Sequence, residues 1–297
     1  MFGKSRQAYY KSIKASGRRA LEEELVIQLV KEKRRNKPRT GVRKLHIELQ
    51  KDFERHGIKV GRDKLFDILR RNQMLVKKRK LRARTTNSYH MFHKYPNLAK
   101  DLPVSSSNQL WVSDITYIKV GEEFNYLFLI TDSYSRKIVG WHLSDSLATQ
   151  GAVKALKMAI NTNKLRGGLV HHSDRGVQYC SLEYVRILNK NKIVISMTEN
   201  SDPRENAIAE RVNGILKDEW LNDIELKNTR QAKRILSKII HTYNTERLHC
   251  SLDYQTPEQV HEQYEGNIKK RWKSYYKNKV NDIYLKQKQT IKTVNHF

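Results

Sequence analysis

The chain has 297 residues and a formal net charge of +27, from 58 Lys plus Arg against 31 Asp plus Glu. That length allows one large or two to three small domains, and 38% hydrophobic residues are enough for a core. The charge says more about partners than about fold: it favours a polyanion such as nucleic acid over an anionic membrane, and the longest apolar run, Tyr126–Ile130, falls far short of the ~20 residues a spanning helix needs.

The two cysteines, Cys180 and Cys250, lie far apart with no C-x-x-C, and the first residues hold no apolar secretion segment. Neither a disulfide framework nor a zinc finger is supported, and a reducing cytoplasm is the expected compartment. By segment the net charge is +20 over 1–100, +1 over 101–260 and +6 over 261–297. Two basic arms around a neutral, acid-bearing middle suggest binding at the ends and chemistry in the centre. Plain solubilising surface is the simpler account of the arms.

In chain order, 21–35 reads as a helix with acids first and bases last, which suits the macrodipole. Pro38 and Gly41 mark a turn. Val42, Leu45, Leu49 and Phe53 then recur at helical spacing, Gly57 breaks the pattern, and Leu65, Ile68 and Leu69 form a second stripe with Phe66 beside it. With Arg62, Lys64, Arg70 and Arg71 on the second helix, the pair fits a helix-turn-helix or, equally, an ordinary three-helix bundle with a basic surface. Residues 77–108 read as a linker. Lys77, Lys78, Arg79 and Lys80 open its basic run, and Pro96, Pro103 and Ser105–Ser107 discourage regular structure. From 109 the texture changes: three strand candidates are followed by helix, strand, helix, strand and two helices (204–221 and 229–244), the order βββαβαβαα. This is an α/β pattern, a mixed sheet with helices on its faces.

Three carboxylates stand out. Asp114 interrupts LWVSDITYI, a run apolar on both alternating faces as in a covered central strand. A carboxylate there needs a partner or a metal, and backbone donors or an Arg would serve as well. Asp174 ends a short strand just before Gly176, where ligand-binding side chains of α/β sheets gather. The adjacent His171 and His172 point to opposite faces and do not share one metal. Glu210 belongs to a polar helical stripe, Asn206, Glu210, Asn213 and Lys217, at spacings of four, three and four. Alone it reads as surface. Glu219 lies about 180° round the helix at ~3.6 residues per turn and serves another place. Together, three carboxylates without soft ligands suit Mg²⁺ or Mn²⁺ rather than zinc, and paired ions suit phosphoryl displacement. Lys217 is placed to hold a phosphate.

The motifs WVSDITYI, TDSYSRKIVGW, HHSDRGVQYCS and NAIAERVNGILKDE, in order, resemble the catalytic core of DDE transposases related to retroviral integrases. The 35 residues between Asp174 and Glu210 match that superfamily's spacing. With YNTERLHCSLDYQTPEQV near the end, the chain more narrowly resembles the second-frame product of bacterial insertion sequences of the IS-three family, over roughly residues 1–262. The resemblance implies a ribonuclease-H-like core preceded by a helix-turn-helix-like region. It implies Asp114, Asp174 and Glu210 as the catalytic, metal-binding triad with two Mg²⁺ or Mn²⁺ ions, and Lys217 as a contact to element-end DNA.

It further implies double-stranded DNA ends and target DNA as partners, self-association in a synaptic complex, and a first-frame protein as fusion or partner. The expected organisation is a basic DNA-binding region over 1–76 (with Arg62, Lys64, Arg70 and Arg71), a linker over 77–108, an integrase-type core over 109–262 and a lysine-rich tail over 263–297. Asp132 matches a family position but reads as a strand-end cap facing Ser133 and Ser135. Glu199, Glu205 and Asp202-Pro203 read as turn or helix-start residues. Leu248 stands where the family commonly has Pro. The expected activity is DNA transposition. A ribonuclease-H-like nuclease without strand transfer and a non-catalytic DNA-binding regulator are the alternatives.

Overall fold

The computed structural model describes residues 6–77, 93–100, 102–163, 165, 167–199 and 203–263. Lys78, Arg79, Lys80, Asp202 and nearly all of the lysine-rich tail lie outside the described residues.

Three helices come first: α1 (Arg6–Arg34), α2 (Val42–Arg55) and α3 (Arg62–Arg71). They close over a small core of their own, in which Val26 and Val30 meet Leu45, Leu49, Phe53, Leu65, Ile68 and Leu69. The α2 and α3 stripes are those of the sequence. The first helix, however, begins at Arg6 rather than near Leu21. Residues 6–20 are exposed throughout, so no apolar face marked them as helical; arginine, lysine and alanine nonetheless favour helix there.

The sheet follows. β1 (Leu110–Val120), β2 (Glu123–Asp132) and β3 (Ile138–Ser144) form an antiparallel meander. After α4 (Thr149–Thr162) come β4 (Val170–Ser173), the short α5 (Val177–Cys180), α6 (Leu182–Lys190) and β5 (Val194–Met197). β4 pairs parallel to β1 and β5 parallel to β4, giving the order β3-β2-β1-β4-β5 with β1 central. α7 (Ala207–Glu219), α8 (Thr229–Thr245) and α9 (Pro257–Glu262) complete the chain order.

Alternation along the strands builds two cores. Trp111, Phe128, Ile130 and Val139 face α4 and α6, while Ile118, Val120, Leu127, Leu129 and Leu143 face α7 and α8. The result is a three-layer α/β/α arrangement on a mixed sheet, the ribonuclease-H-like pattern. Gly140 makes its α4 layer possible. A Cβ there would lie 2.3 Å from the carbonyl oxygen of Ala155 and 2.8 Å from the Cβ of Ala159, so only glycine lets helix and strand approach this closely.

Two contacts set the first three helices against the core. The indole Nε1 of Trp220 donates to the carbonyl of Asn36 (2.7 Å), and Lys37 Nζ donates to the carbonyl of Glu246 (3.2 Å) while pairing with Glu48 (3.0 Å). Part of the expected linker is also engaged. Leu98 N donates to Ser196 Oγ (2.9 Å), Met197 N donates to the carbonyl of Pro96 (3.2 Å), and Ala99, Leu102 and Val104 pack on Leu110 and Val170. Those apolar side chains cover the outer end of the sheet, a role the prolines and serines around them concealed.

Candidate active site

The site is built where β1 and β4 lie side by side beneath α7. Even-numbered residues of β1 point toward α7, so Asp114 shares a face with Val112, which packs against Ala209. The carboxylate is half-buried. Asn213 of α7 donates from Nδ2 to Asp114 Oδ2 at 2.8 Å, and Asn206, the residue preceding that helix, donates from Nδ2 to the carbonyl of Ser113 at 2.9 Å. Two amides seven residues apart lie two helical turns apart on one face. They fasten α7 to two successive residues of β1.

Glu210 stands between them, four residues after Asn206 and three before Asn213, on the same face and half-buried. The polar stripe of the sequence is therefore not open surface. Asn206 and Asn213 are buried against the sheet, and Glu210 and Lys217 are half-buried.

Asp174 comes from the strand beside β1. The parallel register runs from Leu110 opposite Val170 to Val112 opposite His172, and two further residues bring Asp114 and Asp174 to corresponding positions. β4 ends at Ser173, so Asp174 opens the turn at its carboxyl end, where Gly176 N donates to Asp174 Oδ1 (3.0 Å). Tyr179 feels both acids. Burial pushes its phenol pKa well up, and the charges of Asp174 and then Asp114 add to the effect. The three carboxylates are thus gathered from β1, β4 and α7, yet among the described residues no group of three or more His, Cys, Asp or Glu stands close enough to enclose a metal ion.

The neighbouring histidines are structural. His171 Nε2 lies 2.7 Å from Ser113 Oγ and 2.9 Å from Tyr184 OH in the α4–α6 core, where burial holds its pKa at about 3 and the ring neutral. On the opposite face, His172 Nε2 meets the carbonyl of Glu205 (3.2 Å) and Nδ1 meets Ser196 Oγ (2.8 Å). His172 therefore anchors the turn that leads into α7. In that turn Glu205 Oε2 accepts from Glu199 N (2.7 Å).

Asp132 is fully buried and caps its strand end, accepting from Ser135 N and Oγ (both 2.7 Å) and from Asn108 N (2.7 Å). Glu219 points away from the site to Arg247, with contacts of 2.5 and 2.7 Å. Burial alone would raise its pKa, but the Arg247 hydrogen bonds and charge leave it lowered. Despite Leu248, the chain turns back after α8, with a bridge between His249 and Gln255 and left-handed Asp253 and Tyr254.

The basic residues of α3 are placed on its outer surface, each beside an acid. Arg62 meets Asp63 (2.9 Å), Lys64 meets Glu22 (3.8 Å), Arg70 meets Asp67 (3.2 Å) and Arg71 meets Glu23 (2.7 Å). Exposed ion pairs of this kind contribute little to stability. Lys77 is exposed at the end of the described segment. Sequence reasoning assigned no role to Asn213 or Tyr179. The stripe spacing placed Asn213 beside Glu210, but only the packing of α7 on β1 joins it to Asp114.

Residues 104–203 match the family model of the integrase core domain, and residues 191–257 match a second model of the same description. An insertion element IS600 uncharacterized 31 kDa protein of Shigella sonnei is 34% identical over 269 residues, covering 89% of this chain and 97% of that one. The transposase for insertion sequence element IS629 of Shigella sonnei is 30% identical over 228 residues, covering 77% and 75%. Among solved structures, the HTLV-2 integrase catalytic core domain in complex with magnesium (trimeric form) is similar at 20% identity and a TM-score of 0.41, over 52% of this chain and 96% of that one. A match to the integrase core across the sheet and α7, together with a relative aligned over nearly its whole length, places this chain in the DDE transposases of bacterial insertion sequences, enzymes of polynucleotidyl transfer.

Proposed function

We propose that Asp114, Asp174 and Glu210 are the catalytic carboxylates of this transposase and hold two divalent cations, Mg²⁺ or Mn²⁺. The observation that carries the reading is the single junction of β1, β4 and α7, where the register sets Asp174 beside Asp114 and the Asn213 amide ties the Glu210 face of α7 to Asp114.

The residues fit such ions. The donors are all oxygen, as hard cations require. Asn206 Oδ1 and Asn213 Oδ1 are buried acceptors without a hydrogen-bond partner, and the water shell of a hydrated cation supplies donors for them. When bound, paired ions activate the attacking oxygen and stabilise the leaving one.

The chain's own residues do the positioning. Asp114 sits on the central strand, Asp174 opens the turn just past the neighbouring one, Glu210 is presented by a helix fastened at two points, and Lys217 holds a phosphate of the element end. In cleavage, a water oxygen attacks phosphorus and the released strand leaves with a 3′-hydroxyl. In transfer, that 3′ oxygen attacks a target phosphodiester, so a new P–O bond replaces the one broken. Residues 1–76 bind DNA, with Arg62, Lys64, Arg70 and Arg71 exchanging their acid neighbours for phosphates. The basic run of the 77–108 linker follows the DNA backbone, and 109–262 form the core. Synapsis of two ends calls for self-association, and a first-frame protein is the further partner.

Substitution tests the assignment. Asp114→Asn, Asp174→Asn and Glu210→Gln should each abolish metal-dependent cleavage of labelled end DNA while DNA binding persists. Near-wild-type cleavage by any one of them removes that residue from the triad. Joined products in the wild-type reaction separate transfer from simple nuclease action. Lys217→Ala should weaken end binding and reduce its salt slope by about one.

A further inference from the structure

We infer that Asn213 is the positioning residue of the metal centre, acting through Asp114. The inference rests on the carboxylate assignment above. Asn213 is buried at 6% exposure, on the α7 face that meets β1. Its Nδ2 donates to Asp114 Oδ2 at 2.8 Å, and its Oδ1 is buried with no hydrogen-bond partner. A hydrogen bond from a buried amide to a carboxylate fixes the plane of that carboxylate, which side-chain torsion would otherwise leave free to turn.

The orphaned oxygen is a separate observation. A buried acceptor left unsatisfied is costly, and the Asp114 carboxylate that Asn213 meets can donate nothing to that oxygen while ionised. A water molecule bound to a cation is a strong donor, and it would satisfy this oxygen. One side chain thus orients a first ligand with its nitrogen and accepts from the ion's hydration shell with its oxygen. What sets Asn213 apart from Asn206 is that its nitrogen meets a carboxylate rather than a backbone carbonyl.

The fastening also links the ligands to one another. Glu210 is three residues from Asn213 on the same helix, so the bond that orients Asp114 also sets the distance from β1 at which Glu210 is presented. Outer residues that orient metal ligands typically account for about 10- to 100-fold in affinity.

The test uses the full chain and Mn²⁺ alone, with binding followed by electron paramagnetic resonance. Asn213→Ala and Asn213→Leu should raise the Mn²⁺ Kd by about tenfold. Asn213→Gln, which keeps the amide, should recover part of the loss. The metal-free proteins should melt close to wild type. In cleavage assays, half-saturation for Mn²⁺ should rise while KM for end DNA stays put.

An unchanged Mn²⁺ Kd in Asn213→Ala would overturn the inference. So would failure of both the Ala and Leu variants to fold, because the amide would then serve stability rather than the centre. Asp114→Asn, run alongside, separates the two levels. If it keeps wild-type Mn²⁺ binding and cleavage, the carboxylate assignment itself fails. If it loses both while Asn213→Ala binds normally, only the role of Asn213 fails.

Discussion

Lys44 offers a sharp test of how the first helices sit on the core. It projects from α2 toward the end of α7 and the turn after α8, and burial lowers its pKa from 10.5 to about 8. The positive charge of Arg247 adds to that effect, while Glu219, Cys250 and Glu48 oppose it. A depressed ammonium pKa means that the folded chain holds this proton less tightly than the unfolded chain. Stability attributable to the site is therefore full above pH 10.5 and is lost as pH falls toward 8, below which the whole cost of the buried charge is present. At ~1.36 kcal/mol per unit the interval corresponds to about 3 kcal/mol, and residual solvent screening reduces this to about 1–3 kcal/mol.

Lys44→Met keeps the stem and removes the charge. It should raise unfolding free energy at pH 7 by that amount, and the advantage over wild type should shrink steadily between pH 8 and 10. Urea unfolding of both proteins across this range measures the difference, and other titrations cancel in the subtraction. A methionine variant less stable than wild type at pH 7, or a gap independent of pH, would refute the buried-cation account and with it the close packing of α2 on the core.

Other outcomes follow from single features of the fold. His171 is held neutral with a pKa of about 3, so its contribution is complete above pH 6.5 and drains away as pH falls toward 3. His171→Gln should flatten the acid limb of a pH–stability profile in that window, and an unaltered limb would show that the ring is not the group being protonated. Gly140→Val places a branched side chain where even Cβ would lie 2.3 Å from the Ala155 carbonyl oxygen. It should cost upward of about 3 kcal/mol in unfolding free energy, and a melting temperature matching wild type would mean that α4 stands further from β3.

Element types were local properties. The alternation of β1 and β2, the apolar stripes of α2 and α3, and the turn at Gly176 arise from neighbours within a few residues, so the strand–helix order could be read directly. The basic arms, the neutral centre and the spacing of Asp174 and Glu210 were legible for the same reason: they are properties of the chain as a string. The first half of α1 was not. Its fifteen exposed residues have helix-favouring side chains but no buried face to impose a period.

The site itself was legible only as a list. Sequence named Asp114, Asp174, Glu210 and Lys217, but a strand pairing and a helix docking bring the three acids to one junction, and both join residues far apart in the chain. That the Asn206–Lys217 stripe faces β1 rather than solvent follows from which side of α7 carries Val212, Ile215 and Leu216 into the adjacent core. No count of spacings within the helix contains that fact. The sequence by itself determined the charge pattern, the elements and the acids available for chemistry. Tertiary structure alone decided which amide holds which acid, because a hydrogen bond across 99 residues of chain depends on where two elements pack and not on what lies between them.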